Sequence, residues 1–294
     1  MFFIYQILIL VIVFLSPIII IIRLIKNKEH KERFIEKFCF FKKERKKGNL
    51  IWLHAASVGE LMSIIPLVYE LEKNKKINSI LITTSTLSSS KIFNNYKFKK
   101  VIHQFFPIDF FYFTSRFINY WKPNVAIFID SEIWPCMFKE LKNNSIPLLL
   151  MNARITPRSF NRWNFFNKFS KNIFHNIETA FPQNLESEKF LKKLNVKKVN
   201  KIGNLKFCET KNQKRIHLKN DFLLSIKKRL IFCASSTHPG EEDQIAKTHL
   251  ILKKKYKNLL TIIIPRHVER MEEIYNNLLS LDLKTIIRTS NKKI

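Results

Sequence analysis

Ile51-Trp52-Leu53-His54-Ala55-Ala56-Ser57-Val58-Gly59-Glu60 decides the fold of this chain. A short apolar run ends in a polar cluster, and the cluster opens an amphipathic helix over residues 60–73. In that helix Leu61, Ile64, Ile65, Val68 and Leu71 share one face. A strand that turns directly into a helix is the unit of an α/β protein, and the turn is where a ligand meets a helix N-terminus. Glu60 falls in the first helical turn, as a carboxylate able to take a proton. Ser57 and Glu60 also fit a plain helix start, with Ser as N-cap and Glu in the first turn.

The same pattern recurs outward from this point. Further apolar runs predict strands at 79–83, 125–129, 147–151, 179–181, 230–234 and 259–264. Continuous apolar strands alternating with helices indicate a parallel sheet covered on both faces. Polar clusters follow these runs: Asp130-Ser131-Glu132, Asn152-Ala153-Arg154, Gln183-Asn184, Ser235-Ser236-Thr237-His238 and Arg266-His267. In open α/β sheets the carboxyl ends of the strands form the ligand crevice. The Lys-rich stretch 208–220 lacks apolar periodicity and reads as a linker. The expected organisation is an anchor over 1–25, a Rossmann-like domain over 26–210 and a partial Rossmann-like domain over 211–294.

Residues 2–22 contain no charged side chain. A helix needs about 20 apolar residues to cross a bilayer core. Arg23, Lys26, Lys28, Lys31 and Arg33 follow at once, which places the bulk of the chain on the cytoplasmic side. No basic residue precedes the run and no small-residue cleavage site follows it, against a cleaved signal peptide. Pro17 leaves an interfacial or re-entrant anchor open.

The chain carries 52 Lys and Arg against 23 Asp and Glu, a net charge of +29. Nucleic acid, an anionic membrane or a phosphorylated substrate would each suit that charge. Abundant Lys, Ile, Asn and Phe with only 4 Gly also fit simple compositional drift. No zinc-finger spacing or aromatic-plus-Gly RNA motif is present. Cys39, Cys136, Cys208 and Cys233 form no CxxC pair and read as buried apolar residues in a reducing compartment. There is no P-loop and no GxGxxG. Asp130-x-Glu132 is a weak metal signal, because no His follows at ligand spacing. Ile133-Trp134-Pro135 reads as packing and a helix start. Lys206, after the turn at Gly203, suits an anion site or a solvated surface. Ser236 to Glu242 also fits a capping segment.

Taken together these segments resemble the Kdo transferases, which add 3-deoxy-D-manno-octulosonic acid (Kdo) to lipid A precursors. The motifs are His54 to Glu60, Glu132-Ile133-Trp134-Pro135, Asn152-Ala153-Arg154 with Arg158-Ser159, Gly203-Asn204-Leu205-Lys206-Phe207, Ser236 to Glu242, and Pro265-Arg266-His267 with Glu269-Arg270. The resemblance implies a GT-B fold, α/β with two Rossmann-like domains, behind an N-terminal membrane-anchor helix. It implies a glycosyltransferase of lipopolysaccharide biosynthesis on the cytoplasmic side of the inner membrane. CMP-Kdo is the implied donor and lipid IVA the acceptor, with membrane lipids as partners. No metal, cofactor or nucleic acid is expected.

By the same resemblance Glu60 is the general base, and Asp130 with Lys206 stabilises the transition state. Ser57, Gly59, Glu132, Arg154, Ser236, Thr237 and His238 bind substrate, and Arg266 and His267 bind CMP. The family usually has Glu where this chain has Asp130. Its members also continue through a Gly-rich segment and an Asn-Pro-Leu-Glu motif absent here. The chain is therefore expected to be C-terminally truncated, with about three strands in its second domain and an open sheet edge. Three readings stay open: an active transferase, a non-catalytic remnant that binds the lipid acceptor, and a basic membrane-associated nucleic-acid binder.

Overall fold

The computed structural model describes residues 1–205, 223–224 and 226–288. The expected linker 208–220, with Cys208 and Lys206, lies outside them. Two compact units emerge, Met1–Lys211 and Asn212–Ile294.

The first unit opens with α1 (Phe2–Ile25), which runs through Pro17 without interruption. A 3-10 turn over Arg33–Phe38 follows. Then come β1 (Leu50–His54), α2 (Val58–Lys73), β2 (Ser79–Thr84), α3 (Leu87–Phe93), β3 (Val101–Phe105) and α4 (Phe111–Trp121). The second half holds β4 (Val125–Ile129), α5 (Pro135–Asn143), β5 (Leu148–Ala153), α6 (Pro157–Phe165), α7 (Asn167–Phe174), β6 (Thr179–Pro182), α8 (Leu185–Lys193) and β7 (Lys198–Val199). All pairings are parallel, in the order β3-β2-β1-β4-β5-β6-β7. This is a doubly wound sheet whose strand order reverses between β1 and β4.

Two cores form, one on each face of the sheet. One gathers Trp52, Phe117, Trp121, Phe128 and Phe138. The other gathers Leu53, Leu61, Ile64, Ile65, Val68 and Ile82. The α2 stripe read from the sequence is thus the buried face, although Leu71 is only half-buried. Each buried Leu or Ile contributes about 1.5–3 kcal/mol.

β3 and β7 escape the apolar-run reading. β3 carries His103 and Gln104, both buried. Arg33 Nη2 lies 2.9 Å from His103 Nδ1, and Thr84 Oγ1 lies 3.0 Å from His103 Nε2. Burial, with Arg33 adding to it, pushes the His103 pKa down to about 3, so the ring is neutral.

The second unit contains β8 (Leu230–Thr237), α9 (Glu241–Lys255), β9 (Leu259–Pro265) and α10 (Met271–Ser280). β8 and β9 pair in parallel. Of the three or so strands expected here, two fall among the described residues. The core here is small, built around Ala246, Ile274 and Leu278. Leu230, Ile231 and Ile264 stay exposed. Cys39 and Cys136 are buried, but Cys233 is exposed, against the expectation of burial.

Candidate functional site

Glu60 is fixed by the turn that starts α2. Ser57 is the N-cap and accepts from Glu60 N at 3.3 Å. Glu60 answers with both oxygens: Oε1 accepts from Ser57 Oγ at 2.8 Å, and Oε2 accepts from Ala56 N at 2.8 Å. This is a variant of the capping box, in which the carboxylate takes the N–H of the residue before the cap. The helix-start reading of the motif is realised, and it holds the carboxylate in place. Burial pushes the Glu60 carboxyl above the usual carboxylate range. The negative charges of Glu132 and Asp130 add to this, while the bonds from Ser57 and Ala56 pull the other way. Gly59 has an ordinary φ, and a Cβ added there would meet nothing within 4 Å.

β4 lies beside β1, so the cluster after β4 faces the same switch point. Asp130 has φ +62°, a left-handed geometry that Asp tolerates better than most residues. Its backbone N donates to Met151 O, and its O accepts from Arg154 N. Ser131 Oγ lies 2.9 Å from Asp130 Oδ1. Glu132 Oε2 accepts from Trp134 Nε1 at 2.9 Å and lies 3.4 Å from His54 Nε2. His54 Nδ1 is 2.9 Å from Thr83 Oγ1, which also accepts from Trp52 Nε1. His54 is fully buried, and burial lowers its pKa despite Glu132, so it is neutral at pH 7. Among the described residues no group of three or more His, Cys, Asp or Glu is arranged to hold a metal.

Asn152 and Ala153 belong to β5 itself and do not follow it, a correction of the expected strand end. Asn152 Oδ1 accepts from Leu205 N at 3.2 Å, which ties the segment before Lys206 to the end of β5. Gly203 has φ +118°, the conformation for which glycine is favoured. Arg154 projects an exposed side chain.

In the second unit Ser235, Ser236 and Thr237 are likewise within β8. Ser236 is exposed at φ +60°. Thr237 Oγ1 donates to Glu242 Oε1 at 2.7 Å, and Arg270 grips both Glu242 oxygens at 3.0 and 3.2 Å. The Thr237 hydroxyl is therefore engaged within the unit. His238 N donates to Glu241 Oε2, but α9 starts behind Gly240 with no side-chain cap, so the capping reading of this stretch is not realised. His238, Arg266 and His267 are exposed at the carboxyl ends of β8 and β9.

The structure thus gathers Ser57, Gly59, Glu60, Asp130, Glu132 and Arg154 at the ends of β1, β4 and β5. Sequence reasoning missed the roles of His54 and Thr83, and read Trp134 as packing and a helix start without its bond to Glu132. The signal for His54 was available: a lone His closing a fully apolar strand.

Residues 32–209 match the profile of the family "3-Deoxy-D-manno-octulosonic-acid transferase (kdotransferase)". The chain belongs to the Kdo transferase family. A 3-deoxy-D-manno-octulosonic acid transferase of Rickettsia bellii is 36% identical over 282 residues, 93% of this chain and 65% of the relative. That of Haemophilus influenzae is 31% identical over 279 residues, 91% of this chain and 64% of the relative. A probable mitochondrial member from Arabidopsis thaliana is 30% identical over 290 residues, 92% of this chain and 62% of the relative. The chain spans between 50% and 65% of the length of two Rickettsia relatives.

Among solved structures, a UDP-GlcNAc 2-epimerase from Neisseria meningitidis superposes with a TM-score of 0.53 at 13% identity, covering 79% of this chain and 69% of that one. MnaA of S. aureus, solved with UDP, gives 0.54 at 14%, covering 79% and 66%. At such identities the likeness concerns the fold, which is α/β of the GT-B type.

Proposed function

We propose that this Kdo transferase family member is a glycosyltransferase that moves Kdo from CMP-Kdo to a lipid A precursor, lipid IVA, on the cytoplasmic side of the inner membrane. Family membership supports Kdo transfer, and the donor, acceptor and residue roles extend it. The observation that carries the reading is Glu60: a half-buried carboxylate of raised pKa, beside Glu132 and Asp130, at the switch point of the sheet. Residues 26–210 take the acceptor and 211–294 belong to the donor domain.

The acceptor hydroxyl gives its proton to Glu60 as its oxygen bonds to the anomeric carbon of Kdo. The bond from that carbon to the CMP phosphate breaks, and CMP leaves with the electron pair. A base with a pKa nearer to neutrality accepts that proton better than an ordinary carboxylate does. Asp130 faces the positive charge that develops on the sugar. By family resemblance Lys206 pairs with Asp130 in stabilising the transition state, and Arg266 and His267 bind the CMP of the donor. Ser57, Gly59, Glu132 and Arg154 position the acceptor, while Ser236, Thr237 and His238 belong to the donor side. Transfer of labelled Kdo from CMP-Kdo to a tetra-acylated lipid A precursor in detergent tests the reading. A lipid-linked product supports it. A folded chain that forms none contradicts it.

Gly59 supplies a second check. Its added Cβ meets no protein atom, so Gly59→Ala should stabilise the first turn of α2 by about 0.5–1 kcal/mol. The same methyl stands beside Glu60, and kcat/KM for the acceptor should fall about 10–100-fold. Melting curves and acceptor titrations measure the two effects. Unchanged kcat/KM would remove Gly59 from the acceptor's path.

A further inference from the structure

Helix α1 has the composition of a membrane span, with a mean hydropathy of 3.1 in its most apolar window. Its contacts are not those of a span. Phe2, Tyr5, Ile9 and Val13 are half-buried, and Ser16 and Ile20 are buried. These positions recur every three or four residues, so one stripe of the helix is covered along its length. The opposite face, with Phe3, Ile7, Val11, Phe14 and Ile18, is exposed.

Both ends of α1 are tied to the first unit. Near the N-terminus, Tyr5 Oη donates to Asp109 Oδ2 at 2.7 Å, and Asp109 also takes the backbone N–H groups of Cys136 and Met137. Phe2 packs 6.5 Å from Phe169 between ring centroids, with Lys139 Nζ 4.3 Å from the Phe2 centroid. At the C-terminus, Arg23 Nε bonds Glu29 at 3.0 Å, and Glu29 takes Lys37 Nζ at 2.6 Å. Ile108 N donates to Lys37 O, and Ile108 adjoins Asp109. Tyr5 and Arg23 are about 27 Å apart along the helix axis. That distance is close to the hydrocarbon thickness of about 30 Å. A crossing helix would put Tyr5 at the far leaflet, where Asp109 and α5 cannot follow.

We infer that α1 lies in the plane of the membrane surface, both ends on the side of the Rossmann-like unit, and that lysines at its two ends take anionic lipid headgroups. The inference deepens the proposed membrane association and rests on it. The occupant of the exposed face is a lipid surface because charge flanks the apolar face at both ends. Lys26, Lys28 and Lys31 are exposed beyond the C-terminus. A cavity of about 560 Å³ at the N-terminus is lined by Met1, Phe2, Lys139, Lys142 and Lys168 among others. An apolar face edged with lysines is the pattern of an interfacial helix.

The test is sidedness. The full chain, with a short epitope before Met1, is expressed in bacterial cells, and protease is applied to intact spheroplasts and to inverted membrane vesicles. The epitope should be cut only in inverted vesicles. Cutting in intact spheroplasts would overturn the in-plane helix while leaving membrane attachment standing. A chain found wholly in the soluble fraction would overturn the attachment itself.

Purified chain and vesicles test the headgroup contact. On vesicles of phosphatidylethanolamine and phosphatidylglycerol, the combined Lys139→Gln, Lys142→Gln and Lys168→Gln changes should weaken binding about fivefold per lysine. On pure phosphatidylcholine they should change little. Equal binding of parent and variant to the anionic vesicles would overturn the headgroup contact. A dimer that hides α1 and binds neither vesicle would overturn the lipid occupant.

Discussion

Glu60→Gln should lower kcat for Kdo transfer by about 10²- to 10⁴-fold, the range for loss of a positioned general base. The fold should survive, for a reason visible in the turn. Gln serves in a capping box as Glu does: its carbonyl takes Ala56 N, and its amide faces Ser57 Oγ. Thermal stability at neutral pH should be equal or slightly higher. The folded-state pKa of Glu60 is raised, so the stability it contributes is present below its unfolded pKa and lost as pH rises through the folded one. Gln never ionises and escapes that loss. Steady-state rates with melting curves measure both effects. A variant that retains most of its rate would remove Glu60 from the chemistry.

Asp109→Ala should destabilise the first unit by about 3–5 kcal/mol. Asp109 is 2% exposed, and its carboxylate takes Tyr5 Oη, Cys136 N and Met137 N. α5 starts at Pro135 behind Trp134, which provides no side-chain cap. Asp109 supplies that cap from elsewhere in the chain. With Ala the two backbone N–H groups are left buried and unpaired, at about 1–3 kcal/mol each. Asp109→Asn keeps an acceptor and should cost less than half as much. Urea midpoints of the two variants measure the difference. Equal midpoints for parent and Asp109→Ala would contradict the capping role.

The two variants also mark what was legible in the sequence. β4 falls on the expected residues because it is an unbroken apolar run of five, and β1 is legible as an apolar run of four closed by His54. The Ser57–Glu60 turn was legible twice over: the cap and the candidate base are the same atoms. β3 was not legible, because its His103 and Gln104 look like surface residues until Arg33 and Thr84 are brought beside His103 by the fold. β7 spans only two residues, too few for any periodicity. Strand order was beyond reach, and so was the placing of β4 next to β1 that brings Glu132 near Glu60. His54 with Glu132, and Tyr5 with Asp109, are 78 and 104 residues apart along the chain. Nothing local announces such pairs. Helix α1 was legible as apolar and long, but its attachment along one stripe depends on Asp109 and Glu29, which only the fold supplies.

The central claim is that Glu60 is the base and that its neighbours set its pKa. The pH dependence of kcat/KM for Kdo transfer, in the parent chain and in Glu132→Gln, tests it most directly. The parent should show an acid limb above the ordinary carboxylate value of about 4.3, because burial and like charge raise Glu60. Glu132→Gln keeps an acceptor for Trp134 Nε1 but removes one of those charges. Its limb should therefore move to lower pH. A limb at the same pH in both proteins, or no limb above the ordinary carboxylate range, would contradict the account.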